Sequence, residues 1–257
     1  MADELLIEYN GFVCTIAINR PEKRNALNYE VLSGLSNTLG SLVNEGKTRA
    51  IILTGTGSQA FSAGMDLVFV NSQRDIADKA LADALDSLLK CSIPIIARIQ
   101  ADALGAGCDL TTACDFRIAS DNARMGIPPV KFGWVYYPKS IQRLINLIGV
   151  AYTKELFLTA RFVPAARAKE IGLLHFLVSP EALDETVNNL AEEIAGMAPM
   201  AVQGTKHLIN QLFHYQKLDT GVEQEIMRLI RKCYQSEDAI EGNRAFKEKR
   251  KPDFKGR

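Results

Sequence analysis

The sequence predicts an α/β fold, and three observations predict it. Short apolar runs of strand composition alternate with stretches whose apolar residues recur at helical spacing. Two small-residue segments bearing glycine, 61–66 and 103–109, each follow such a run and open into a stretch with helical character. From about residue 139 onward the pattern is almost wholly helical.

Each element has its own signal. Residues 5–9 and 12–18 have strand composition and flank Asn10-Gly11, a turn dipeptide, so the chain opens on a hairpin. Pro21 ends the second run because proline cannot donate to a ladder. Residues 22–28 are polar and read as a loop. A helix over about 29–44 then carries Val31, Leu32, Leu35, Leu39, Leu42 and Val43 on one face. A strand at 49–54 leads into the first glycine segment and a helix at about 75–90. A strand at 93–99 leads into the second segment and a short helix to about 113, followed by a short strand at 116–119. Farther on, Pro164 stands near a helix start and Gly172 at its end, while Pro180 and Pro199 punctuate other helices. The chain divides into a core over 1–195 and a helical C-terminal region over 196–257.

Composition narrows the class. With 257 residues, 47% of them apolar, one large core with a smaller appendage is affordable. Thirty acidic residues balance thirty basic ones, which argues against a nucleic-acid partner. No apolar run approaches the roughly 20 residues that span a bilayer, and the acidic, mixed N-terminus lacks the layout of a signal peptide. No membrane partner is expected. Five cysteines at 14, 91, 108, 114 and 233, without a CxxC pair, read as reduced thiols of a cytoplasmic or organelle-matrix protein. Most of them read as small core residues.

The chemistry starts from the glycine segments Phe61-Ser62-Ala63-Gly64-Met65-Asp66 and Ala103-Leu104-Gly105-Ala106-Gly107-Cys108-Asp109. A turn into a helix leaves the first N–H groups without intrahelical partners, and small residues let a ligand approach them. Two such turns converging would make an oxyanion hole. The plainer reading of the same residues is close helix–strand packing. A dinucleotide site is disfavoured, since Leu110 stands where a third glycine belongs. The three histidines, His175, His207 and His214, show no metal-ligand spacing and suggest neither a zinc site nor a Ser-His-Asp triad. Asp109, on the first turn after the second segment, is a helix-start acid when taken alone. Beside an oxyanion donor it becomes an acid/base candidate. Asp115 and Arg117 read as structural. Trp134-Val135-Tyr136-Tyr137-Pro138 is dense enough in aromatics to suggest packing, or the wall of an acyl pocket with a phenol able to donate. The basic tail with Phe246, Lys249, Arg250 and Lys251 is either a solvated end or a clamp on a phosphorylated aromatic ligand.

Taken together, these segments resemble the crotonase superfamily, the enoyl-CoA hydratase/isomerase proteins, over nearly the whole chain. Asn19-Arg20-Pro21-Glu22-Lys23-Arg24-Asn25-Ala26-Leu27-Asn28 resembles the N-terminal signature of that family. The two glycine segments, the second followed by Cys114-Asp115, resemble its oxyanion loops, and residues 246–252 its closing segment. The resemblance implies a spiral of ββα units with a C-terminal helical region that builds a homotrimer or a dimer of trimers. It implies an acyl-CoA thioester as substrate, no further cofactor, and an enolate stabilised by the backbone N–H groups of Met65 and Ala106. It also implies a CoA path along Arg24, Ala63 and Asp66, with Phe246 and Lys249 reaching the adenine and phosphates. The chain departs from the family where hydratases hold water between two glutamates: the first position is Asp109 and the second is Pro129. That makes two-carboxylate hydration doubtful and turns attention to Tyr136 and Tyr137 as assisting acid/base groups, Tyr136 preferred. Isomerase or decarboxylase chemistry fits the departures better than water addition. The alternatives are a CoA-ester-binding scaffold with degenerate catalysis and an acyl-CoA hydrolase.

Overall fold

A hairpin of β1 (Leu5–Asn10) and β2 (Val13–Ile18) starts the larger of two sheets. The computed structural model describes residues 4–132, 134–214, 221, 224, 228, 232, 235–248, 250 and 252–257; the side chains of 132, 213, 214, 239, 242, 243, 246 and 247 are outside the description. Parallel to β2 lies β3 (Ala50–Gly55), then β5 (Ile95–Ile99), β7 (Phe116–Ser120) and β10 (Phe176–Val178), giving the order β1-β2-β3-β5-β7-β10. The intervening strands β4 (Ala60–Ser62), β6 (Asp102–Leu104), β8 (Arg124–Gly126) and β9 (Val163–Pro164) form a second sheet in that order. Helices α2 (Leu67–Ser72) and α3 (Arg74–Lys90) follow β4, α4 (Ala106–Ala113) follows β6, and α5 (Pro138–Thr159) follows β8. Three successive units thus each give one strand to each sheet and then a helix, which is the spiral the resemblance implies.

Strand composition follows from burial on both faces. All six residues of β3 are buried, and alternate ones enter different cores, as a period of two requires. Ile51 and Leu53 pack with Val31, Leu32, Leu35, Leu39 and Leu42 of α1 (Tyr29–Glu45). Ala50 and Ile52 pack under Leu183, Val187 and Ala191 of α7 (Leu183–Ala195), which follows α6 (Ala165–Glu170). Asn28 caps α1 by accepting from the Val31 N–H at 3.0 Å. Val43, expected on the buried stripe of α1, is instead 39% exposed, because the core takes Leu39 and Leu42 and leaves the next position turned outward.

Two features differ from the sequence reading. Each glycine segment starts inside a three-residue strand of the second sheet, β4 or β6, rather than directly after the long apolar run; strands so short show no alternation. Within the stretch read as helical, β9 and β10 each join a sheet, β10 beside β7. Beyond them, α8 (Pro199–His214) is tied to the core by Lys206, whose ammonium donates to Asp115 at 2.6 Å and to the Ile93 carbonyl at 2.9 Å. The last segment is held by α9 (Glu237–Glu248): Asp238 accepts from the N–H groups of Lys255 and Gly256, and Glu241 from Arg250 and the Asp253 N–H. Cys14, Cys91, Cys108 and Cys114 are buried and free, whereas Cys233 lies outside the described residues. Among the described residues no helix is long and apolar enough to cross a membrane.

Candidate active site

The two glycine turns touch. A Cβ built on Gly64, whose φ is +98°, would stand 2.9 Å from the Leu104 carbonyl oxygen and 3.3 Å from the Ala106 nitrogen. One on Gly107 would stand 2.6 Å from the Ser62 carbonyl oxygen. Only glycine lets the backbones of the two loops lie this close. Ser62 braces the first turn: its hydroxyl donates to the Asn25 carbonyl at 2.7 Å and accepts from the Gly64 N–H at 3.2 Å. The Leu27 N–H donates to the Gly64 carbonyl and the Asp66 N–H to the Leu27 carbonyl, leaving the Met65 N–H between them pointing away from that ladder. Ala106 is the first residue of α4, where a helix has no acceptor for its N–H. Among the described residues neither the Met65 nor the Ala106 N–H has an intramolecular acceptor.

One turn into α4, Asp109 is fully buried, with 0% of its side chain exposed. Arg143 donates to its Oδ1 at 2.5 Å; Ser140 at 2.7 Å and Tyr136 at 3.0 Å donate to its Oδ2. The Arg143 Nε also donates to the Thr112 hydroxyl at 2.9 Å. Burial and the neighbouring Asp109 charge hold the Tyr136 phenol well above the ordinary tyrosine range, so it stays protonated. Its ring packs edge-on against Tyr137 at 5.0 Å and tilted against Phe157 at 5.6 Å. Beside it, Cys108 is pushed up to about 12 by burial and then by the Asp109 charge, which leaves a thiol rather than a nucleophile.

The aromatic loop separates its two phenols. Tyr137 turns to α3, donating to Asp78 at 2.6 Å, and Trp134 stacks under the Arg74 guanidinium at 4.5 Å. Of the two sequence candidates, Tyr136 alone meets Asp109. Pro129 is buried at the start of a single 3-10 turn, Pro129–Phe132. Arg143 and Ser140 escaped the sequence reading. Their signal is a polar pair three residues apart on α5, on the same face as buried Leu144.

Two of the remaining candidates, Arg24 and Ala63, lie on loops that touch. The Ala63 N–H donates to the Arg24 carbonyl at 2.9 Å, which ties the two loops side by side. The Arg24 side chain, 47% exposed, reaches Asp102 at 3.3 Å. Asp66 caps α2 through the Val68 N–H and pairs with Arg20 at 3.1 Å. Burial pushes the Asp66 carboxyl up, but hydrogen bonds from Arg20 and the Val68 N–H, with the charges of Arg20 and Lys23, outweigh this and hold it below the usual range. The Phe246 backbone belongs to α9, but its side chain lies outside the described residues, as does Lys249 entirely. Asp115 and Arg117 are structural: the first accepts from the Ile95 N–H and Lys206, the second donates to the carbonyls of Leu173 and Cys114. Among the described residues no group of three His, Cys, Asp or Glu side chains is placed to hold a metal ion.

Comparison with known proteins bears on this geometry. Residues 8–257 match the family model described as enoyl-CoA hydratase/isomerase. The chain is 34% identical to the short-chain-enoyl-CoA hydratase of Clostridium acetobutylicum, covering 99% of each. It is 32% identical to the 2,3-dehydroadipyl-CoA hydratase of Escherichia coli, again over 99% of each. The crystal structure of an enoyl-CoA hydratase from Bacillus anthracis superposes with a TM-score of 0.93 at 34% identity, covering 99% of this chain and 100% of that one.

Proposed function

The chain belongs to the enoyl-CoA hydratase/isomerase family, and from that premise we propose that its site takes an acyl-CoA thioester and stabilises the enolate formed from it. The thioester oxygen lies between the N–H groups of Met65 and Ala106, which strengthen their hold as the oxygen gains charge. The observation that carries this is the contact of the two glycine turns, with both N–H groups unengaged and a buried carboxylate, Asp109, one helical turn beyond Ala106. Asp109 and Tyr136 are the unit that moves the proton. Arg24, Ala63 and Asp66 line the CoA path, and Phe246 and Lys249 reach its adenine and phosphates. No cofactor is needed beyond the CoA carried by the substrate. With Pro129 in place of a second carboxylate, one proton-handling unit serves isomerisation or decarboxylation better than water addition.

The C-terminal region, 196–257, builds a trimer or a dimer of trimers. Four buried, free cysteines fit a reducing compartment, the cytoplasm or an organelle matrix. The alternative of a CoA-ester-binding scaffold has Pro129 alone in its favour and is not supported by the relatives, which are named as hydratases. Mixing the protein with enoyl-, dienoyl- and malonyl-type CoA esters, while following absorbance and CO₂ release, separates the two. Turnover that falls by about 10²–10⁴-fold in Asp109→Asn supports the enzyme. Tight CoA-ester binding with no turnover of any ester supports the scaffold.

A further inference from the structure

Asp109 offers a ligand nothing to touch. Its side chain has no exposed surface, and its oxygens already accept from Arg143, Ser140 and Tyr136, with the Thr112 hydroxyl 3.4 Å from Oδ1. Arg143 (8% exposed) and Ser140 are themselves buried, so neither opens a route to it. Tyr136 is the one member of the cluster that is only partly buried. We infer that Tyr136 is the group that meets the acyl chain, that Asp109 acts only through it, and that Ser140 and Arg143 are positioning residues that fix where the Tyr136 hydroxyl points. This rests on the reading that the site takes an acyl-CoA thioester.

An ionised carboxylate has about four acceptor positions. Arg143 takes one position on Oδ1, the Thr112 hydroxyl being committed to the Asp109 backbone carbonyl at 2.7 Å; Ser140 takes one position on Oδ2, and the other Oδ2 position faces Tyr136. The phenol hydrogen is drawn there, and the lone pairs of the phenol oxygen turn away from Asp109. Tyr137 and Phe157 brace the ring, so the oxygen keeps that orientation. Arg143 also donates to the Ser140 oxygen at 3.2 Å, which leaves the Ser140 hydrogen for Asp109. A proton leaving a carbon beside the thioester then passes to the Tyr136 oxygen as the phenol hydrogen moves to Oδ2 of Asp109. The C–H electron pair becomes the enolate, and its charge settles on the thioester oxygen. The reverse path returns a proton to carbon, which leaves every group as it began. Tyr137 cannot substitute, because its hydroxyl is committed to Asp78.

The test combines exchange kinetics with a probe that needs no turnover. Exchange of the α-hydrogens of butyryl-CoA in D₂O, followed by NMR, reads the proton step. Expected are losses of about 10²-fold or more in Tyr136→Phe, and of about tenfold in kcat for Ser140→Ala with KM nearly unchanged. Ser140→Ala adds less than about twofold in the Tyr136→Phe background, because both act on one hydroxyl. Arg143→Lys retains more activity than Arg143→Gln, and Ser140→Ala keeps the question open to test should Arg143 variants fail to fold. Multiplying losses, or full exchange in Tyr136→Phe with none in Asp109→Asn, overturns the assignment. In parallel, the ¹⁹F resonance of 3-fluorotyrosine at position 136, assigned by its absence in Tyr136→Phe, shifts in Ser140→Ala and again when butyryl-CoA is added. If no ester is exchanged or turned over, the functional reading falls and this resonance decides the positioning role by itself. A signal unmoved by Ser140→Ala and by ligand overturns it.

Discussion

Asp109 and Arg143 form an ion pair with 0% and 8% of their side chains exposed. Such a pair gains little over apolar residues of the same volume, but breaking it strands a charge in the interior. Arg143→Met leaves the Asp109 carboxylate unpaired, and urea unfolding is expected to show a loss of about 3–5 kcal/mol. The double variant Asp109→Asn/Arg143→Met recovers most of that loss without recovering activity. An equal loss in the single and double variants would mean the pair carries no special cost.

The glycine turns and the sheet edge make predictions for elements. Gly107 lies where an added methyl meets the Ser62 carbonyl at 2.6 Å and the Ser62 Cβ at 2.7 Å. Neither partner is the free end of a flexible side chain, so Gly107→Ala must separate β4 from α4. Thermal unfolding should register about 1–3 kcal/mol of destabilisation, with a larger proportional fall in turnover as the two N–H groups part. At the β7–β10 edge, the His175 Nδ1 accepts from the Arg117 N–H at 3.2 Å, which requires a neutral ring. Burial, then the charges of Arg117 and Lys169, lower this histidine to about 4. Between the unfolded value near 6.5 and that folded value, the unfolded chain binds a proton that the native state refuses. Stability therefore falls as pH drops from about 6.5 to about 4, by at most about 3 kcal/mol from this residue. Chemical denaturation of His175→Gln across that window should show a shallower decline than the parent protein.

At the scale of the whole molecule, ties between the helical C-terminal region and the spiral among the described residues include Lys206 on Asp115, Asn210 on the Leu89 carbonyl and Arg49 on the Phe254 carbonyl. Exposed apolar side chains stand on α8, where Ile209 is 61% and Leu212 is 50% exposed. In the proposed assembly, association of copies through this region would cover them. Size-exclusion chromatography with light scattering should give three chains or a multiple of three, and a monomer at working concentration would remove the proposed role of 196–257.

The α/β class, the order of the long strands and helices, and the two glycine turns were legible in the chain, because apolar periodicity and small residues leave a local mark. Met65, Ala106 and Asp109 could be named as candidates there, each from its place in a short motif. The second sheet was not legible: strands of two or three residues carry no alternation, and what makes β4, β6 and β8 strands is their neighbours. The sequence reading prefers Tyr136 to Tyr137, but the two are adjacent and alike, and no local pattern separates them. That choice belongs to the fold, which brings Ser140 and Arg143 from α5 against α4 and points one phenol at Asp109, the other at Asp78. Local pattern determines which groups the chain possesses; only packing over long separations determines which of them share a proton.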